Sequence, residues 1–148
     1  MENLEISIPQ AHGVWASILF RRTPKVVERI DEIANQVNLK DQLRKKSGLL
    51  SHGQKQWLEI GMLLMQEPEL MLLDEPVAGM SPREREQTAE LLRTISLGKS
   101  LVVIEHDMDF VKSIASKVTV LHQGRLLSEG TIEQVQKDPR VIDVYLGH

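Results

Sequence analysis

A chain of 148 residues with 41% hydrophobic and 26% charged side chains can bury a real core and has the make-up of an ordinary globular domain. Its net charge of -3 and pI near 6.0 exclude a globally basic nucleic-acid footprint. The absence of cysteine excludes disulfides, thiol catalysis and cysteine-bound zinc, and fits a reducing cytoplasm. No stretch approaches the roughly 20 apolar residues of a membrane span. The run Val14 to Phe20 is too short, and Glu2 and Glu5 stand where a signal peptide needs basic residues.

In chain order, residues 1 to 46 read as mainly helical. Thr23-Pro24 supplies an N-cap and N1 pair, followed by Val26, Ile30, Ile33 and Val37 at helical spacing. The stretch LLSHGQKQWLEI, Leu49 to Ile60, starts another helix through the capping-box pair Ser51 and Gln54. Gly53 in its first turn costs about 1 kcal/mol against alanine, so the start of this helix needs a further reason. The helix runs through Leu63 and Leu64 and stops near Glu67-Pro68. Leu70 to Leu73 is an apolar run too short for a helix and is predicted to be a strand buried on both faces, as in parallel sheets. Ser81-Pro82-Arg83-Glu84 combines an N-cap, proline at N1 and a capping-box glutamate. The helix it opens buries Leu91, Leu92 and Ile95 and ends at Gly98.

Leu101 to Ile104 is a second buried strand, and Asp107 caps a helix carrying Val111 and Ile114. Val118 to Leu121, a turn at Gly124, and Leu126 to Ser128 form a hairpin, and Thr131 with Gln134 caps a last helical stretch. The β-α-β-α order from residue 70 to 116 predicts a parallel α/β sheet.

Chemistry gathers at three places. Asp74 and Glu75 end the first buried strand, where open α/β sheets bind ligands. Two adjacent acids there suit nucleotide hydrolysis: Asp74 holds magnesium, usually through water, and Glu75 orients or deprotonates an attacking water. The plainer alternative is a polar strand end before a turn proline. Glu105-His106-Asp107 ends the second strand, and His106 in the same crevice can donate a hydrogen bond to a terminal phosphate. A solvated histidine before a helix cap is its plainer alternative. Third is the helix start itself: free N–H groups, a glycine that lets phosphate oxygens approach, and the Ser51 hydroxyl make an anion site. A plain capped helix explains the same residues.

In this order the three resemble the ATPase subunits of ABC transporters. Leu50-Ser51-His52-Gly53-Gln54 is similar to the LSGGQ signature, with His52 in place of the first glycine. Asp74-Glu75 resembles the Walker B pair, Ala78 to Ser81 the D-loop, and His106 the switch histidine. Ser81 stands where many members carry an aspartate. The stretches LSHGQKQWLEIGMLL, LLDEPVAGM, VVIEHDMDFV and DPRVIDVYLG are similar to urea importer ATPases, within the branched-chain amino-acid importer group.

The resemblance implies a P-loop NTPase fold with parallel core strands, residues 1–50 as a helical subdomain and 51–148 as the C-terminal part of the ATPase core. It implies ATP and magnesium as cofactors. Ser51, Gly53 and Gln54, with Ser81 beside them, contact a nucleotide held by a second ATPase subunit, while Asp74, Glu75 and His106 serve this subunit's own. Permease subunits are the further partners, so the chain is expected in the cytoplasm, peripheral on the inner face of the membrane, with no nucleic-acid partner and no insertion of its own.

The phosphate loop G-x-x-x-x-G-K-[ST] is missing from these residues. Gly98-Lys99-Ser100 imitates its end, but position 93 holds Arg93 and the segment leads into a strand. The resemblance therefore implies a fragment whose Walker A loop, Q-loop glutamine and adenine-stacking aromatic lie upstream, inactive and aggregation-prone when alone. A non-hydrolysing module that donates its signature helix to a partner is the competing reading; an ABC-type ATPase working outside transport is a third. Trp57 reads as packing; His52 is assigned no role, its side chain free to face solvent (the plain default), the helical subdomain or a partner; and His12, His122 and His148 read as surface residues without metal-ligand spacing.

Overall fold

The computed structural model describes residues 2–8 and 23–146. Val14 to Phe20, His12 and His148 lie outside the described residues. The chain divides into two compact units, Met1–Ile104 and Glu105–His148.

In the first unit, α1 (Glu2–Ile6) and α2 (Pro24–Gln36) pack on α3 (His52–Leu64). Thr23 caps α2 by accepting from the Val26 N–H at 3.4 Å, and Ile30, Ile33 and Val37 are buried as their spacing predicts. A side chain at Gly61 of α3 would place its Cβ 3.2 Å from Leu4 and 3.4 Å from Ile33 and Val37. Glycine there lets the three helices close on one another. Two short 3-10 turns, Lys40–Gln42 and Ser47–Leu49, carry the chain from α2 to α3.

Strand β1 (Leu70–Asp74), helix α4 (Pro82–Ile95) and strand β2 (Ser100–Ile104) then form a parallel β-α-β unit, with Leu70 opposite Ser100 and Asp74 opposite Ile104. Helix α4 buries Leu91, Leu92 and Ile95 and stops at Ile95, three residues before the left-handed Gly98. Lys99 follows and Ser100 opens β2, so the Walker A imitation is a turn into a strand.

Burial of β1 and β2 on both faces is not what the structure has. Met71 and Leu73 are buried, but Leu70, Leu72, Val102 and Ile104 are 52%, 67%, 48% and 62% exposed. Side chains alternate across a strand, and partners in register share a face. These four therefore line one side of the pair, which is left about half or more open.

The second unit begins at α5 (Met108–Ile114), capped by Asp107 accepting from the Phe110 N–H at 3.0 Å. Strands β3 (Val118–His122) and β4 (Arg125–Gly130) pair antiparallel around Gln123 and Gly124, both with positive φ, the backbone of a tight hairpin turn. Thr131 and Gln134 form the expected capping box of α6 (Ile132–Gln136), followed by α7 (Pro139–Val141) and a π-turn, Ile142–Leu146. The Tyr145 hydroxyl donates to the Leu121 carbonyl at 2.6 Å, and its ring meets His122 edge-on, so His122 is half-buried instead of a plain surface histidine. Among the described residues, no helix is long and apolar enough to cross a membrane.

Candidate functional site

Ser51 sits in extended backbone just before α3. Its hydroxyl accepts from the Gln54 N–H at 3.2 Å while Gln54 Oε1 accepts from the Ser51 N–H at 3.1 Å. This reciprocal pair leaves the N–H groups of His52 and Gly53 at the positive end of a 13-residue helix, ahead of the first intrahelical bond from Lys55 to Ser51.

The segment from Ala78 to Glu84 closes over this helix start. His52 Nε2 donates to the Ala78 carbonyl at 3.0 Å; since a carbonyl can only accept, Nε2 carries the proton. His52 is thus exposed, in line with its solvent default, and also engaged by the loop after β1. Gly79 has φ +68° and lies against the His52 ring. Ser81 caps α4, with its N–H and hydroxyl donating to Glu84 Oε2 at 3.0 and 2.8 Å.

Glu84 then reaches past its own helix. Ser51 Oγ donates to Glu84 Oε1 at 3.3 Å, and a Cβ on Gly53 would fall 2.6 Å from that oxygen. The missing side chain at Gly53 makes room for a carboxylate of this same chain. The Ser81 N–H and hydroxyl hold the Glu84 carboxyl below the usual range, helped by Ser51 and by charge on His52 and opposed by slight burial. Below this contact, the Trp57 indole donates to Thr88 Oγ1 at 2.8 Å, which confirms Trp57 as packing.

Asp74 and Glu75 adjoin at the end of β1, both exposed. The Glu75 N–H donates to the Ile104 carbonyl at 2.9 Å, and Glu75 takes φ +46°, a left-handed conformation that costs a non-glycine residue about 1–3 kcal/mol. Among the described residues, no three His, Asp or Glu side chains converge on a metal site. A single exposed carboxylate fits magnesium nonetheless, because that ion keeps waters and phosphate oxygens and takes only one or two protein carboxylates. His106 belongs to the second unit. Its side chain is 77% exposed with Nδ1 3.9 Å from Glu105 Oε2, and the Glu105 carboxylate accepts from the His106 and Asp107 N–H groups.

Residues 3–78 match the family model described as ABC transporter, and 125–148 match branched-chain amino acid ATP-binding cassette transporter. The chain belongs to the ABC transporter family. This ABC chain is 36% identical over 138 residues to the high-affinity branched-chain amino acid transport ATP-binding protein BraF of Pseudomonas aeruginosa, covering 91% of the chain and 54% of BraF. It is 31% identical over 156 aligned residues to LivG of Escherichia coli, a protein of the same description, covering 99% of the chain and 61% of LivG. It thus spans between half and two thirds of these curated relatives. Among solved structures, the ATP-binding cassette MJ1267 superposes with a TM-score of 0.80 at 28% identity, over 97% of the chain and 61% of that cassette. The expected ABC ATPase fold, α/β with parallel strands, is the fold found.

The ABC chain therefore brings together Ser51, Gly53 and Gln54 with Ser81, and separately Asp74 with Glu75. Sequence reasoning missed Glu84 as a neighbour of Ser51. The capping box in which Glu84 was recognised is local, and nothing in it reveals a contact across 33 positions.

Proposed function

We propose that this chain is the part of an ABC importer's ATP-binding subunit that carries the signature helix and the Walker B acids. The observation that carries the reading is the α3 start, where capping Ser51, Gly53 and first-turn N–H groups outside the intrahelical ladder offer anion-binding donors beneath the Ala78–Ser81 loop. Ser51, Gly53 and Gln54 contact ATP held by a second ATPase subunit, with Ser81 at the same interface. ATP brings the phosphoryl group to be cleaved, and magnesium neutralises its charge when bound. Asp74 would hold the magnesium through water with its exposed carboxylate. Glu75 accepts a proton from the attacking water, and the bond from its N–H to Ile104 fixes the backbone from which it acts. His106 acts as the switch histidine, donating to a terminal phosphate.

Residues 1–50 serve as the helical subdomain that meets permease subunits, and 51–148 as the C-terminal part of the core, at the inner face of the membrane. The relatives' names point to branched-chain amino acids as cargo. The four stretches quoted above support the narrower reading of urea or short amides within that group. Uptake of labelled leucine against labelled urea in a strain whose whole subunit is deleted and restored separates the two. In the whole subunit with its permease, Glu75→Gln should keep ATP binding and lose about 100-fold or more in turnover. Unchanged turnover would remove Glu75 from its role.

A further inference from the structure

The α3 start is already occupied by an anion, and that anion is covalently part of the chain. Glu84 lies on α4, yet its Oε1 accepts from Ser51 Oγ and fills the space above Gly53, while Oε2 is held by the Ser81 N–H and hydroxyl. These are the groups that the proposed function assigns to a phosphate oxygen: the hydroxyl of Ser51 and the gap left where Gly53 lacks a side chain. Two anions do not share one hydroxyl donor and one glycine-sized gap. A phosphate that reaches Ser51 must displace Oε1, and its charge is repelled by the carboxylate until it does.

We infer that Glu84 is an internal stand-in for phosphate, a gate that keeps the α3 start closed to stray anions and yields to a polyphosphate presented by an opposing subunit. The displaced carboxylate is not stranded, because Oε2 keeps both bonds to Ser81 when Oε1 leaves Ser51. Glu84 acts here through Ser51 and Gly53, so it is a positioning residue. The inference rests on the reading of the α3 start as a phosphate contact.

The test is a titration of the isotope-labelled 148-residue chain with sodium tripolyphosphate, following the backbone amide signals of His52, Gly53 and Gln54. Glu84→Gln keeps a capping-box side chain at the third position of α4, so its thermal midpoint should stay near that of the unaltered chain while its affinity rises about fivefold or more, the effect of removing one neighbouring charge. Ser51→Ala should bind more weakly than the unaltered chain. Glu84→Asp retracts the carboxylate by one methylene, keeps the cap charged, and should fall between the unaltered chain and Glu84→Gln. It carries the test should the glutamine variant fail to fold. Binding at His52–Gln54 that is equal in the unaltered chain and both Glu84 variants overturns the gate and leaves the phosphate reading standing. No response at these amides in any of the proteins overturns the phosphate reading, and the gate with it.

Discussion

Thr88→Val isolates the polar tie that joins α3 to α4. Thr88 is fully buried and Trp57 is 5% exposed, so neither the indole N–H nor the hydroxyl has water as a ready alternative. Valine has nearly the volume of threonine, which leaves packing intact and strands the Trp57 N–H without its acceptor at 2.8 Å. A buried donor left unpaired costs about 1–3 kcal/mol. For a domain of this size, about 2 kcal/mol corresponds to a fall of roughly 4–8 °C in thermal midpoint. Thr88→Ser keeps the acceptor and loses one methyl group, about 1 kcal/mol, so it should fall by roughly half as much. Differential scanning calorimetry of the two variants, with Trp57→Phe and the Trp57→Phe/Thr88→Val pair, closes a double-mutant cycle. The reasoning is refuted if Thr88→Val melts within a degree of the unaltered chain, or if Thr88→Ser is the worse of the two.

Four further outcomes follow from the same geometry. Replacing Leu72, Val102 and Ile104 by threonine should reduce self-association in sedimentation velocity with little change in midpoint, since all three are already 48% to 67% exposed, whereas Met71→Ala on the buried face should cost about 2–5 kcal/mol. Gly53→Ala should gain up to about 1 kcal/mol of helix propensity while pushing Glu84 off Ser51 and filling with a methyl group the gap a phosphate oxygen would need, so its midpoint stays close to the original while tripolyphosphate shifts at Gln54 weaken, in contrast to Glu84→Gln. The 148-residue chain by itself should release no phosphate from magnesium-ATP above a Glu75→Gln control, because its sequence holds no G-x-x-x-x-G-K-[ST] loop; steady release above that control would contradict this. In the second unit, the Arg140 guanidinium, then Ser128 and the Arg140 N–H, hold the Asp138 carboxyl far below the usual range. A depressed folded-state pKa gives stability that is complete above the unfolded value near 4 and drains away as pH falls below it. Asp138→Asn should therefore flatten the acid limb of unfolding below about pH 4, and an unchanged limb would show the ion pair to be inert.

Local chemistry was the legible part of this chain. Thr23, Ser51, Ser81, Asp107 and Thr131 all cap helices as their spacing predicts, because a cap is decided within four residues. The parallel β1–α4–β2 order was legible for a similar reason, since hydrophobic runs alternate with helical periodicity. The open face of β1 and β2 was not: Leu70 to Leu73 is apolar at every position, and such a run carries no mark of what covers each side. His52 on the Ala78 carbonyl, Glu84 on Ser51 and the left-handed backbone of Glu75 were hidden too. Each depends on tertiary neighbours 26 to 33 positions away or on a turn closed by another strand.

The ties between α3 and the segment after β1 have a consequence for assembly. The His52 bond to Ala78, the Ser51 bond to Glu84 and the Trp57 bond to Thr88 all join α3 and its cap to the segment from Ala78 to Thr88. A surface that meets a partner normally loses freedom in each loop it orders, about 0.5–1.5 kcal/mol for each immobilised side chain. Here that freedom is already spent during folding, so in the assembly proposed above the two segments would meet an opposing surface as one preorganised body. Loosening the His52 or the Trp57 tie should slow docking in the proposed assembly even where every contacting atom remains, whereas the Ser51 bond to Glu84 is the one that has to open.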